Sequence, residues 1–274
     1  MESSSRIDFK SLAVEALAAF DEGRQITPFS SRNHGLELDN AYRAAAHVRK
    51  LRAARGEMAV GRKIGFTNRT IWAEYDVRAP IWGYVYDSTV RDLCASGDAF
   101  RLSALAEPRI EPEIVFGLAK PPAAGMDAAA LIDCIDWAAH GFEIVQSIFP
   151  DWKFAAADTV AAFGLHGALL IGPRQAVAPR RDEWLSTLSS FEIELSCDGA
   201  VVDRGRAANV LDGPLLALQH LVELLGRDAA QPALAAGEIV TTGTLTRALP
   251  IAPGQTWSTV LHGVALDGIK VRFE

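Results

Sequence analysis

Two glutamates one residue apart, Glu111 and Glu113, stand in the stretch PRIEPEIVFG (residues 108–117), an apolar run with the texture of a β-strand. Strand alternation puts both on one face and Ile110, Ile114 and Phe116 on the other. Two carboxylates roughly 6–7 Å apart at an effective dielectric of about 20 repel by about 2–3 kcal/mol, so water, basic neighbours or a cation must offset them. A third carboxylate, Glu143, sits in GFEIVQSI (141–148), sharing a face with Val145 and Ser147. If the three converged they would form an all-oxygen site suited to Mg²⁺ or Mn²⁺; zinc would ask for nitrogen or sulfur. Spacing alone does not bring Glu143 to the other two. A cation of the protein's own comes from VGRKIGFT (60–67), where Lys63 shares a strand face with Gly61, Gly65 and Thr67. Neighbours without bulk let a ligand approach the backbone, and a lysine there can bind a carboxylate or move a proton.

Each of these residues also has a plainer reading. SFEIELSCDG repeats the alternation with Glu192 and Glu194 and ends in Asp198-Gly199, a hairpin signal, so a wet strand face explains that pair. Lys63 could equally be an exposed lysine in a glycine-rich strand.

The elements that must position these groups are readable in outline. Apolar spacing predicts a helix over 8–22 with Asp8 as N-cap, and another from about Asp39 to Arg55 closed by Gly56. The first 56 residues therefore read as a helical amino-terminal region. Residues 57–274 read as a β-rich body, with short apolar runs at 58–66, 81–86, 110–118, 142–148, 165–171, 188–197, 200–204, 238–244 and 256–273. Helices are expected at 127–140, 152–163 and 213–225, and loops at 120–125 and 227–237. Strands outnumber helices without strict alternation, which favours an α+β arrangement with a mixed, curled sheet and helices outside.

A chain of 274 residues, 49% hydrophobic, is long enough to bury the core of an ordinary enzyme. Its 27 basic and 34 acidic residues leave a formal net charge of -7, with no basic cluster beyond VRKLRAARG, which argues against nucleic acid. Three scattered cysteines, Cys94, Cys134 and Cys197, have no ligand spacing and point to a reducing compartment. MESSSRIDFK lacks the pattern of a signal peptide, and no apolar run reaches the roughly 18 residues of a membrane span, so the expectation is a cytoplasmic protein with no membrane partner. No G-x-S-x-G elbow, P-loop or G-x-G-x-x-G is present, and the six histidines show no H-x-x-x-H spacing.

Taken together, PFSSRNHGLELDNAY (28–42), GRKIGFT (61–67), RIEPEI (109–114), FEIVQS with the following DW (142–152) and GEIVTTGTLT (237–246) resemble, in this order, the 2-keto-4-pentenoate hydratases and 4-oxalocrotonate decarboxylases of the fumarylacetoacetate hydrolase superfamily. The resemblance covers nearly the whole chain. It implies a β-rich curled sheet, a Mg²⁺ or Mn²⁺ ion held by Glu111, Glu113 and Glu143, and Lys63 contacting the substrate carboxylate or transferring protons. It also implies catalytic use of Asp158 and a substrate lying along Ile81, Ser147, Phe163, Thr242 and Gly243. The implied activity is metal-dependent hydration of a 2-hydroxy-2,4-dienoate to a 4-hydroxy-2-oxo acid, as in aromatic meta-cleavage catabolism. The alternatives are decarboxylation of a 4-oxalocrotonate-type acid and a non-catalytic partner subunit. A homo-oligomer is expected, as is a complex with a related hydratase or decarboxylase.

Two departures bear on the substrate. Ile81 in APIWGYVYD stands where many hydratases carry an acidic residue, a form closer to the decarboxylase branch. DTVAAF (158–163) keeps Asp158 but puts Ala162 and Phe163 where the family has a polar pair. A more apolar pocket follows, with Trp72, Trp82 and Phe163 as candidate lining or as plain core.

Overall fold

The computed structural model of the protein describes residues 7–32, 35–69, 72–73, 77–228 and 231–274. His34, with parts of the 28–42 segment and of the 227–237 loop, lies outside the described residues. The strands in chain order are β1 (Ala59–Gly65), β2 (Ile81–Tyr86), β3 (Val90–Asp92), β4 (Ala99–Phe100), β5 (Arg109–Leu118), β6 (Ile135–Val145), β7 (His166–Ile171), β8 (Gln175–Ala176), β9 (Glu192–Cys197), β10 (Ala200–Arg206), β11 (Ile239–Thr241), β12 (Leu249–Pro250), β13 (Thr256–His262) and β14 (Lys270–Phe273).

They build two sheets. The larger runs β2-β1-β11-β5-β6-β7-β3, with β12 added on β5 and β8 on β6; the smaller runs β10-β9-β13-β14-β4. The larger sheet is mixed: β1 pairs with β11 and β3 with β7 in parallel, and its other ladders are antiparallel. Its spine is the long β5–β6 ladder, which registers Arg109 with Val145, Glu111 with Glu143, and Glu113 with Gly141. Both faces of that spine are buried from Ala138 to Val145, where β6 is apolar apart from His140 and Glu143. The β9–β10 hairpin turns at Asp198 and Gly199, both at positive φ, as their sequence predicts, and its strand leaves Glu192 exposed.

The amino-terminal helix Phe9–Glu22 begins where Asp8 accepts from the amides of Lys10 and Ser11 and stops at left-handed Gly23. With Phe29–Arg32 and Leu38–Ala54 it buries Leu17, Phe29, Ala44 and Val48 against Ile81, Ile148, Phe149 and Val160 of the body. The helices thus share a core with the sheet. Among the described residues no helix is long and apolar enough to cross a membrane.

Three predicted elements differ. The helix expected over 127–140 stops after Ala128–Ile132, although Asp127 caps it by accepting from Ala130 N at 2.8 Å. The following residues become β6, because a slot between β5 and β7 rewards extended chain more than alanine propensity rewards helix. The helix expected over 152–163 is reduced to Ala156–Ala161, and the run 256–273 splits into β13 and β14. A helix at Arg181–Thr187, not anticipated, precedes β9.

Asp158, assigned to catalysis by resemblance, is fully buried at the start of the Ala156–Ala161 helix. Its carboxylate accepts from Ser30 N at 2.8 Å, Ser30 Oγ at 2.6 Å and Ala155 N at 2.8 Å, tying the amino-terminal helices to the body. Asp158→Ala should therefore lower the unfolding free energy by about 3 kcal/mol in urea titrations while leaving metal affinity unchanged. Lost turnover with stability intact would return Asp158 to the chemistry.

Candidate metal centre and active site

The β5–β6 register brings the three glutamates together. Because Glu111 faces Glu143 directly and Glu113 lies one pleat further along, one carboxylate oxygen from each falls within 4.8 Å of the others. Glu113 and Glu143 are fully buried and Glu111 is partly exposed to a cavity.

Each buried carboxylate is aimed by a partner. The loop after β11 crosses above β5, and its Gly243 N donates to Glu113 Oε2 at 2.8 Å, while Thr242 Oγ1 donates to Ile114 O at 3.0 Å and fastens the loop. Gly243 has φ +95°, and a Cβ there would sit 1.9 Å from Thr67 Oγ1, so only glycine fits. Glu143 Oε1 lies 2.8 Å from His166 Nδ1, and the far ring nitrogen lies 2.8 Å from Thr89 Oγ1. Lys63 Nζ reaches across from β1 to Glu143 Oε2 at 3.0 Å.

The charges do not balance. Burial disfavours the Lys63 ammonium, but Glu143, Glu111 and Glu113 together hold it above its ordinary range. Burial pushes Glu111 up to about 7, against the pull of Lys63, and pushes Glu113 well above the usual carboxylate range, with Glu143 and Glu111 adding to it. Burial acts upward on Glu143 as well, yet Lys63 and His166 overcome it and keep that group an anion. Three carboxylates thus share one lysine, and Glu113 Oε1 is buried with no hydrogen-bond partner. A hard divalent cation fits this donor set: it accepts oxygen ligands, would occupy the orphaned Oε1 and would supply the missing charge.

The cavity beside the carboxylates places the other expected residues. Lys63, Ile81, Glu111 and Gly243 line it. Ser147 does not: it closes a tight turn, its Oγ donating to Phe149 O at 2.7 Å and accepting from Phe149 N at 3.1 Å. Phe163 lies behind the wall, edge-on to Phe20 at 5.1 Å, and Trp82 stacks on Tyr42 at 5.0 Å in the core. Gly61, read as clearance for a ligand, instead admits a neighbouring strand, since a Cβ there would meet Ile239 O at 2.0 Å.

Sequence reasoning missed Arg109, Trp152 and Phe154 on the cavity wall and His166 beneath it. Arg109 was in plain view, since alternation continues from Glu113 through Glu111 to residue 109. His166 had no such signal, because it meets Glu143 only through the β6–β7 ladder.

The profile of the fumarylacetoacetate (FAA) hydrolase C-terminal family matches residues 49–265. The chain belongs to the fumarylacetoacetate hydrolase family. It is 29% identical over 255 residues to the 2-hydroxyhexa-2,4-dienoate hydratase of Comamonas testosteroni, covering 92% of this chain and 93% of that one. It is 31% identical over 220 residues to a 2-hydroxypent-2,4-dienoate hydratase of Pseudomonas putida, covering 78% and 94%. Among solved structures, the 4-oxalocrotonate decarboxylase of Pseudomonas putida G7 complexed with magnesium and adipate superposes with a TM-score of 0.88 at 25% identity, over 97% of both chains. Homologues of this fumarylacetoacetate hydrolase member are thus lyases, and the curled mixed sheet is the family's fold.

Two outcomes follow from the electrostatics. Protons on Glu111 and Glu113 compete with a cation, so Mg²⁺ or Mn²⁺ affinity should rise between about pH 5.5 and about pH 8. With its folded value raised from the ordinary 4.5 to about 7, Glu111 favours the metal-free fold fully at low pH and ceases to do so as pH passes about 7, and Glu113, also raised, acts in the same direction. The rise in melting temperature on adding Mg²⁺ should therefore be larger at pH 8, and a rise that shrinks with pH would contradict the assignment. His166→Leu, which removes the Nδ1 donor, should weaken metal binding about 10- to 100-fold by calorimetry, since it frees the Glu143 carboxylate to turn.

Proposed function

We propose that the chain is a divalent-metal-dependent hydro-lyase that adds water to a 2-hydroxy-2,4-dienoate and yields a 4-hydroxy-2-oxo acid. The observation that carries the proposal is the convergence of Glu111, Glu113 and Glu143 with Lys63, of which Glu111 and Lys63 line one cavity. The activities of the related hydratases agree with it. Glu111, Glu113 and Glu143 would hold Mg²⁺ or Mn²⁺, which as a Lewis acid would polarise the 2-oxygen of the substrate.

The chain's own residues do the rest. Lys63 is held as an ammonium at the cavity floor, where Nζ can pair with the substrate carboxylate and give or take a proton. The 2-hydroxyl gives up its proton and a proton is delivered to the far carbon of the diene, which makes an α,β-unsaturated 2-oxo acid; water then adds its hydroxyl at the β-carbon and its proton at the α-carbon. Thr67 lines the cavity, and its Oγ1 is buried over Gly243 and makes no hydrogen bond among the described residues.

A second reading, decarboxylation of a 4-oxalocrotonate-type acid, is favoured by Ile81, an apolar wall residue where an acid would otherwise serve. The proposal further takes residues 1–56 as a helical cover on a catalytic body, 57–274. It takes the protein as cytoplasmic, in keeping with three unpaired cysteines, and as a homo-oligomer or part of a complex with a related hydratase or decarboxylase.

Incubation with Mg²⁺ and 2-hydroxypenta-2,4-dienoate, followed by NMR, should show 4-hydroxy-2-oxopentanoate. Glu113→Gln should lower that turnover on the order of 100-fold or more without unfolding the protein, while Glu192→Gln on the exposed hairpin should leave it unchanged. Carbon dioxide release from 2-oxohex-3-enedioate without hydration of the first compound would move the protein to the decarboxylase reading; no reaction with either would sink both.

A further inference from the structure

One cation in the cavity is not used by the machinery described so far. Arg109 stands two residues before Glu111 on the same face of β5, opposite Val145 of β6, so the row Glu113, Glu111, Arg109 runs outward from the carboxylate cluster along one strand. Strand geometry spaces successive members of that row by about 6.6–7 Å, close to the length of a short carbon chain. The guanidinium forms no ion pair with any described residue. Glu111 feels it only at a distance, as one of the weaker influences on its carboxyl.

Its surroundings hold it in place. The Arg109 guanidinium lies 4.0 Å above the centre of the Trp152 ring, a stacking contact that fixes its plane and leaves its edge for another partner. Trp152 in turn donates from Nε1 to Glu107 O at 3.1 Å. Glu107, Asp151 and Trp152 all have positive φ (44°, 57° and 57°), a region that residues with side chains seldom enter. Three such residues around a single stacked pair mark a built arrangement, since backbone in this region persists only where its neighbours over-determine it. The rest of that wall is apolar, with Val145, Phe154 and Leu165, so a guanidinium here lies in partly desolvated surroundings, where a charged partner counts for most.

We propose that Arg109, stacked on Trp152, is a specificity-determining residue that binds a second carboxylate at the far end of the substrate, so that the preferred substrate class is a 2-oxo or 2-hydroxydienoic acid carrying two carboxylates. The inference rests on the reading given above, in which the 2-oxo acid end of the substrate lies at Glu111, Glu113, Glu143 and Lys63. Guanidinium and carboxylate meet edge to edge through two parallel N–H···O bonds, and the stack presents that edge to the cavity.

The test uses two saturated acids that cannot be hydrated and differ only at the far end: 2-oxoadipate, with a second carboxylate, and 2-oxohexanoate, without one. Calorimetry on the Mg²⁺-loaded protein should find 2-oxoadipate bound about 10- to 100-fold more tightly. In Arg109→Gln that preference should vanish through loss of 2-oxoadipate affinity alone, and Arg109→Lys, which keeps the charge but not the flat fork, should retain part of it. Equal binding of the two acids by the unaltered protein would overturn the proposal while leaving the metal-site reading standing. So would an equal loss of both acids in Arg109→Gln at an unchanged melting temperature, which would put the arginine on the shared end. Failure of both acids to bind, with Mg²⁺ bound, would overturn the reading of the site itself and the proposal with it.

Discussion

Three carboxylates must coexist within 4.8 Å of one another, two of them fully buried and the third at the edge of a cavity, and the rest of the structure is arranged around that constraint. Two of them, Glu113 and Glu143, are wholly buried, where an uncompensated charge costs several kcal/mol. The β5–β6 ladder creates the problem by registering Glu111 against Glu143. The neighbours on either side address it unequally. On one side β1 sends Lys63 and the loop after β11 sends the Gly243 amide; on the other β7 sends His166, itself held at Thr89. These contacts aim the carboxylates but neutralise only part of their charge. An oxygen cluster so held is pre-organised for a cation, because no ligand has to be found or turned when the ion arrives.

The cavity beside the cluster is walled by backbone in unusual conformations. Phe66 and Leu165 have φ of 54° and 64°, and Gly164 between Phe163 and Leu165 is also positive. Each non-glycine residue of this kind costs on the order of 1 kcal/mol or more. Packing and hydrogen bonds fix them: Trp72 Nε1 donates to Phe66 O at 2.8 Å, and Leu165 O accepts from Gln146 N at 2.9 Å. The amino-terminal helices belong to the same system. They contribute no cavity residue, but through Ser30 and Asp158 they clamp the Ala156–Ala161 helix, which leads directly into the Phe163–Leu165 turn of the wall.

What was legible beforehand divides along the range of the interactions concerned. Alternation along a strand is local, so Glu111 and Glu113 could be put on one face and Asp198-Gly199 at a turn. The resemblance carried Glu143 and Lys63 to the same site, but no spacing in the chain could, because they meet through β1, β11, β5 and β6 laid side by side. Long-range pairing is also why residues 133–140 misread as helix. Their alanines favour a helix in isolation, and only the slot between β5 and β7 overrides them. Asp158 shows the same limit from the other direction. A motif can preserve a residue's identity without stating whether its carboxylate faces a substrate or a helix end, and here three donors from Ser30 and Ala155 occupy it.

Hydration and decarboxylation of these acids share an electron sink at the 2-oxygen, and so they share the carboxylates and Lys63. What separates them lies further out. Hydration needs a water molecule held beside the β-carbon, and loss of carbon dioxide is helped when the departing carboxylate leaves the support of charge for an apolar wall. In this cavity Ile81, Phe154 and Leu165 offer the apolar wall. On the proposed role of Arg109, a far carboxylate paired with it would be stabilised as an anion and would give up that pairing on leaving as neutral carbon dioxide. Ground-state support of this kind slows bond cleavage at the far carbon and leaves water addition nearer the 2-oxygen untouched.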